Sequence, residues 1–352
     1  MLKPRSLSST PGILLAGTFP WANSPFERLA PRPLMPLAHR PLFGFALGWL
    51  LNAGVTRVVV CGNRHSRALE AQLSRETGAF DLTYREDAMP RGAAGCVRDA
   101  ADGCAGDAFI VADASAIPTL DLHDLLETHY ASGAAATMAV YGESRGAGHA
   151  PMQVPAGVYV LDRRVVESIG RHGFIDIKEQ LVPQLARAGE RVATFTIGAA
   201  VPRVLNAGTY LAVNDIVTQN TTSARVVLAG YEQRGEALVH HDAVVESDVI
   251  MAGPVIVAAG ARIGSRAVLV GPTSVGCDAD VGAGALVSRS AVWRRSRIGA
   301  NAVVDRSIIG DDGLVSPDRR VYKAVVASEA RRSATAVPAG VPATSLSPRS
   351  AA

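Results

Sequence analysis

Along the first half of the chain, short apolar runs alternate with stretches of helical period, and the alternation predicts a layered sheet. Gly12-Ile13-Leu14-Leu15-Ala16-Gly17 has the profile of a buried first strand. Leu42 to Leu51 reads as an amphipathic helix, and Asn52-Ala53-Gly54 closes it. Thr56-Arg57-Val58-Val59-Val60-Cys61 is a second buried strand, His65 to Arg75 a helix, and Phe80 to Tyr84 a short strand. This β-α-β-α-β order implies an α/β domain with a mostly parallel sheet and covering helices. Ligands of such sheets sit outside the carboxyl ends of the strands, where the loop after Gly17 lies.

From Val257 the period changes. Val257, Ile263, Leu269, Val275, Val281, Val287 and Trp293 recur every six residues. Ala261, Ala267, Thr273, Ala279, Ala285 and Ala291 follow the first six of them at four positions' distance. A one-residue slip then gives Ile298/Ala302 and Val304/Ile308. One inward aliphatic residue per six is the signature of a left-handed parallel β-helix. Each rung covers its apolar interior only against the next, so the rungs must stack. The predicted organisation is an N-terminal extension (1–11), an α/β domain (12–232), a β-helix (233–327) and a tail (328–352). The Ala, Ser, Pro and Arg content of the tail predicts disorder.

Composition narrows the class without changing this picture. The chain has 352 residues, 48% hydrophobic and 19% charged, which fits a soluble globular protein with a large core. A net charge of +3, with arginines scattered along the chain, argues against a nucleic-acid partner. Cys61, Cys96, Cys104 and Cys277 show no CxxC spacing and predict buried, reduced thiols in a reducing cytoplasm. Residues 1–11 lack a signal-peptide layout. Gly, Asn and Arg interrupt the apolar stretch 42–60, so no membrane span is expected there.

Several motifs carry a resemblance. Leu15-Ala16-Gly17, Pro25 and Pro31-Arg32-Pro33-Leu34 resemble the pattern LAGGxGTRLxPxT…PKPLxPV. That pattern opens the sugar-1-phosphate nucleotidyltransferases, the nucleotide-sugar pyrophosphorylases such as those of the mannose-1-phosphate guanylyltransferase kind. The resemblance implies a Rossmann-like nucleotidyltransferase domain whose glycine loop wraps the nucleotide phosphates, so Ala16, Gly17 and Arg32 become nucleotide-binding candidates. The loop here is Gly17-Thr18-Phe19-Pro20-Trp21-Ala22. Pro20 has no N–H to offer a phosphate, and Phe19 and Trp21 are bulky. Ala22 stands at the family's loop arginine and Arg32 at its lysine.

Arg91-Gly92-Ala93-Ala94-Gly95 resembles the segment beside the nucleobase. It implies a base pocket at Gly92, Ala93 and Gly95, or alternatively a helix packed on the sheet. Pro155-Ala156-Gly157 through Asp162 resembles NAGIYVLD and implies sugar contacts at Ala156 and Gly157. Gly173 to Ala188 carries that family's FDIxxxLxPxL helix. Asp107 to Leu122 resembles the strand whose final aspartate holds the catalytic Mg²⁺. An ungapped match keeps Leu120-Asp121-Leu122 aligned and puts Ser115 at that place; a two-residue slip puts Asp113 there. Arg203 to Leu211 resembles WxDVGTPExYL, with Asn206 at the second metal ligand. An amide oxygen brings no negative charge to Mg²⁺. The segment Gly142 to His149 has no lysine, whereas the family's counterpart uses one on the sugar phosphate.

The implied reaction is in-line attack of a sugar-1-phosphate on a nucleoside triphosphate, with pyrophosphate leaving. Positioning, charge neutralisation and Mg²⁺ supply its catalysis. Losing one preorganised electrostatic contributor costs roughly 10²–10³ in rate, and several are replaced here. The sequence therefore predicts a catalytically degenerate member of nucleotide-sugar metabolism. It would sense a nucleotide or nucleotide sugar as a regulatory or assembly subunit, in a homo-oligomer or with a catalytic paralogue. An active transferase using Arg32, Asp113, Asn206 and Mg²⁺ is the alternative. An acyltransferase would need a histidine base in the coil. His240 and His241 are the last in the chain and are expected in the interdomain connection. A scaffold whose cleft is filled by Phe19 and Trp21 is the remaining reading.

Overall fold

Every side chain of Gly12–Leu15 (β1) is apolar, and the strand has a neighbour on each side. The structure is a computed structural model that describes residues 6–17, 24–38, 40–74, 80–87, 91–144, 152–223 and 228–328. The expectations for Thr18–Ala22, for Gly146–His149 and for the tail beyond Ser328 concern residues outside that set. Six more strands complete the sheet: Arg57–Asn63 (β2), Asp81–Asp87 (β3), Ala108–Asp113 (β4), Ala136–Glu143 (β5), Met152–Asp162 (β6) and Val192–Ile197 (β7). Their order is β3-β2-β1-β4-β6-β5-β7, and β6 alone runs against the others.

Side chains alternate across a strand, so β1 feeds two cores. Leu14 joins Leu47 and Leu50 of Phe43–Asn52 (α1), Leu69 of Ala68–Leu73 (α2) and Leu125 of Leu122–Ser132 (α4). Ile13 joins Val97 of Gly92–Ala101 (α3), Val165 of Arg163–Ser168 (α5) and Leu185 of Val182–Arg187 (α6). The helix expected over 173–188 is shorter. It begins as a π-helical turn at Ile177–Leu181, capped by the Asp176 carboxylate, and becomes α-helical where Pro183 enters. No helix of the described residues is long and apolar enough to cross a membrane.

After Ala207–Ser223 (α7), the chain winds into a parallel β-helix with three sheet faces. Val239, Val257, Val275, Val292, Ile309 and Val326 stack along one of them. The first two intervals are 18 residues and the last three are 17. One residue is therefore missing from the corner between Ser288 and Ala291, and this corrects the sequence reading of Trp293. Val292 points into the coil with Val287 and Ile298, while Trp293 turns outward into a cluster with Phe26, Leu29, Met35 and Tyr210. The first turn of the coil lies before the six-residue repeat at Val257. His240 ends the strand Ala237–His240 on the first turn, instead of lying in a connection.

The outward side of that face, with Ile256, Ser274, Ala291 and Ile308, lies under α7. Trp293 Nε1 donates to the Tyr210 hydroxyl at 2.8 Å, and that hydroxyl donates to the Pro36 carbonyl. Asn214 is fully buried, and its amide oxygen accepts from the Ala38 backbone at 3.3 Å and from the Ser274 hydroxyl at 3.2 Å. The coil is thus fastened to the segment that carries Arg32.

Candidate functional site

The strand order reverses about β1, which has β2 on one side and β4 on the other. In open α/β sheets, ligands bind outside the carboxyl ends of the strands at such a reversal. Leu15 lies level with Cys61 and with Asp113, so Ala16 and Gly17 leave the sheet beside both neighbouring strands. The α-carbon of Gly17 faces the Asn63 side chain, where an added Cβ would sit 3.4 Å from the amide. Asn63 is buried because it organises its own turn, accepting from the His65 backbone at 3.1 Å. Cys61, on the same strand, is fully enclosed, and burial pushes its thiol up to about 12, which leaves it unreactive.

Asp113 ends β4 and its carboxylate is heavily engaged. One oxygen accepts from the Ser115 backbone at 2.8 Å and the Ser115 hydroxyl at 2.7 Å. The other accepts from Nη2 of Arg203 in an ion pair. Ser115 is therefore a donor to Asp113, and the two candidates for one position form a single hydrogen-bonded unit. Gly157 closes the unit from β6. Its φ is +78°, and a Cβ there would stand 3.2 Å from the Asp113 Cβ and 3.7 Å from the Arg203 guanidinium carbon. Glycine is needed at that point by both conformation and space. Ala156 is fully buried beside it. The nearby Tyr159 hydroxyl is pushed up to about 12 by burial, with Arg203 pulling the other way, and stays protonated.

Arg203 was not singled out by the sequence, where it stands as the first residue of a motif read for Asn206. The structure brings it to Asp113 through an antiparallel bridge between Ala116 and Arg203 and a bond from the Val204 amide to the Ser115 carbonyl at 3.0 Å. Asn206 itself caps α7. Its side-chain oxygen accepts from the Thr209 backbone at 3.0 Å, and the Thr209 hydroxyl accepts from Asn206 and Leu205 in return. Asp121 has a comparable duty, accepting from the His123 and Asp124 backbones at the start of α4.

Arg32 is turned to Glu27, with Nη2 donating to its carboxylate at 2.8 Å. Gly92, Ala93 and Gly95 form the first turn of α3. Gly92 has φ +74°, and a Cβ there would fall 2.4 Å from the Ile175 carbonyl oxygen. The Ala94 amide donates to that same carbonyl at 3.0 Å, which docks the helix against residues 174–176. The close approach requires glycine at 92.

Whether these residues fit Mg²⁺ follows from their contacts. The ion prefers near-octahedral oxygen ligands, with one or two carboxylates fixed to it. A carboxylate offers about four acceptor sites, and at Asp113 three donors are already present, one of them a cation. Asn206 contributes an uncharged oxygen that is committed to a helix end. No group of three or more His, Cys, Asp or Glu among the described residues is arranged to hold a metal. The donor set does not fit the ion.

Residues 12–150 match the Nucleotidyl transferase family, and residues 251–337 match the GMPPB C-terminal domain. The chain is similar to a mannose-1-phosphate guanylyltransferase of Mycobacterium tuberculosis, at 24% identity over 321 residues that cover 84% of this chain and 82% of the relative. It is also similar to probable mannose-1-phosphate guanylyltransferase 1 of Oryza sativa subsp. japonica, at 24% identity over 351 residues and 90% of each. Among solved structures, HddC from Yersinia pseudotuberculosis shares the fold, with a TM-score of 0.50 and 15% identity over 59% of this chain and 99% of its own.

Proposed function

Since the chain belongs to the sugar-1-phosphate nucleotidyltransferase family, we propose that it binds a nucleotide or nucleotide sugar without transferring a nucleotidyl group, as a regulatory or assembly subunit. The observation that carries this reading is the engagement of Asp113 by Arg203 and Ser115. In-line transfer needs positive charge drawn onto the phosphates at the moment the bond breaks. Here the carboxylate that would fix a metal is neutralised by the chain's own guanidinium. Gly92, Ala93 and Gly95 are the proposed wall of the base pocket, Ala16 and Gly17 the phosphate side, and Ala156 and Gly157 the sugar side. The names of the relatives make guanine and mannose the first base and sugar to try.

The test is pyrophosphate release from GTP and mannose-1-phosphate with Mg²⁺, run beside thermal unfolding with GDP-mannose. The expected outcome is no release, with stabilisation by GDP-mannose. A ligand at a hundred times its dissociation constant adds about 2.7 kcal/mol. The second reading, an active transferase built on Arg32, Asp113 and Asn206, is favoured by similarity to guanylyltransferases over most of the chain. Sustained pyrophosphate release that disappears in Asp113→Ala would establish that reading and end the first.

A further inference from the structure

Resting on the reading of this cleft as a nucleotide-sugar site, we infer that Arg203 is its phosphate-binding cation, and that the site takes the pyrophosphate of a nucleoside diphosphate or its sugar conjugate without a divalent metal. Arg203 meets one of the two positions that the family resemblance assigns to metal ligands and lies near the other along the chain. It pairs with Asp113 on one side, and Asn206 follows it by three residues. Its guanidinium packs close to Gly157, where a Cβ would stand 3.7 Å from the guanidinium carbon, so the absence of a side chain there is what lets Arg203 reach Asp113.

The group has donors to spare. A guanidinium carries five N–H bonds in one plane. The interaction with Asp113 uses Nη2; Nε also lacks a partner among the described residues, but it is buried and is not among the donors a ligand can reach. Arginine stays charged, is weakly hydrated, and meets phosphate oxygens through two parallel bonds. The other cation the resemblance would assign to phosphates, Arg32, is held by Glu27. Lys178 is paired with Glu179, and Lys323 lies over Tyr322 at the last rungs of the coil. Asp113 is then a positioning residue: it aims the guanidinium and partly offsets its charge, so its removal has the opposite effect from removal of a metal ligand.

Isothermal titration of the full chain with GDP-mannose, GDP and guanosine, in EDTA and in Mg²⁺, tests this directly. GDP and GDP-mannose are expected to bind in EDTA, with affinity unchanged by Mg²⁺. Arg203→Ala should weaken both by roughly 10- to 100-fold and leave guanosine binding as it was. Arg203→Lys, which keeps the charge and loses the fork, should fall between. Asp113→Asn should bind GDP as tightly as the parent or more tightly, and it preserves the shape of the site if Arg203→Ala fails to fold. Binding that appears only with Mg²⁺ and vanishes in Asp113→Asn overturns the inference while leaving the cleft a nucleotide site. Absence of binding in both buffers removes that reading, and the inference with it.

Discussion

Asp113 and Ser115 show what a single sequence leaves open at the scale of a residue. Two alignments two positions apart compete for one place, and counting residues cannot choose between them. The fold shows how the two relate: Asp113 is level with Leu15 and ends its strand, while Ser115 bends back to donate to it. Gly157 and Gly92 entered through the family pattern, and the fold gives each a backbone reason, positive φ and close approach. The partner of Asp113 was not, since it arrives from 90 residues further along the chain. Asp215 on α7 has a consequence of its own. Burial pushes its carboxyl up from 3.8 to about 6, with Arg289 opposing, and one of its oxygens is buried without a partner among the described residues. The folded state therefore holds the proton more tightly than the unfolded chain. Stability falls as pH rises from about 4 to about 6 and stays lowered above that. Asp215→Asn should accordingly raise Tm at pH 7 and lose that advantage by pH 4. An equal Tm gain at both pH values would show that the carboxyl is not the cause.

Among elements, the coil was readable and its irregularity was not. An inward position tolerates aliphatic residues and little else, so six-residue spacing declares itself. Val292 and Trp293 are both apolar, and shortening a corner by one residue exchanges their roles without disturbing the pattern's composition. The structure separates them, Val292 among the stacked interior residues and Trp293 against Tyr210, with ring centroids 5.8 Å apart. Trp293→Ala should cost about 3–5 kcal/mol, as expected for a large buried aromatic. Hydrogen exchange locates the damage: amides of residues 24–37 and α7 should lose protection while the coil strands keep theirs. Loss of protection along the coil itself would return Trp293 to the interior. Tyr210 adds directionality to this contact. Its hydroxyl joins the coil's indole to the Pro36 carbonyl, four residues from Arg32, so the segment expected to face phosphates is framed by a rung of the β-helix.

For the whole molecule, the two predicted architectures are both present, and their mutual packing is the part the sequence did not convey. Phe26, Leu29, Met35, Leu37 and Tyr210 lie in one cluster with Ala291, Trp293 and Ile308, so neither half is closed without the other. A chain cut after Ser223 should expose that cluster, bind a hydrophobic dye and aggregate. Recovery of the truncated chain as a monomer with the near-ultraviolet dichroism of a packed core would show that the α/β half folds unaided. The outward tryptophan has one more effect. A stack of near-identical rungs offers the same berth at every height, spaced by about 4.8 Å, and a partner could slide along it. One aromatic displaced from the interior makes a single rung unlike the rest, and gives a repeating surface an address.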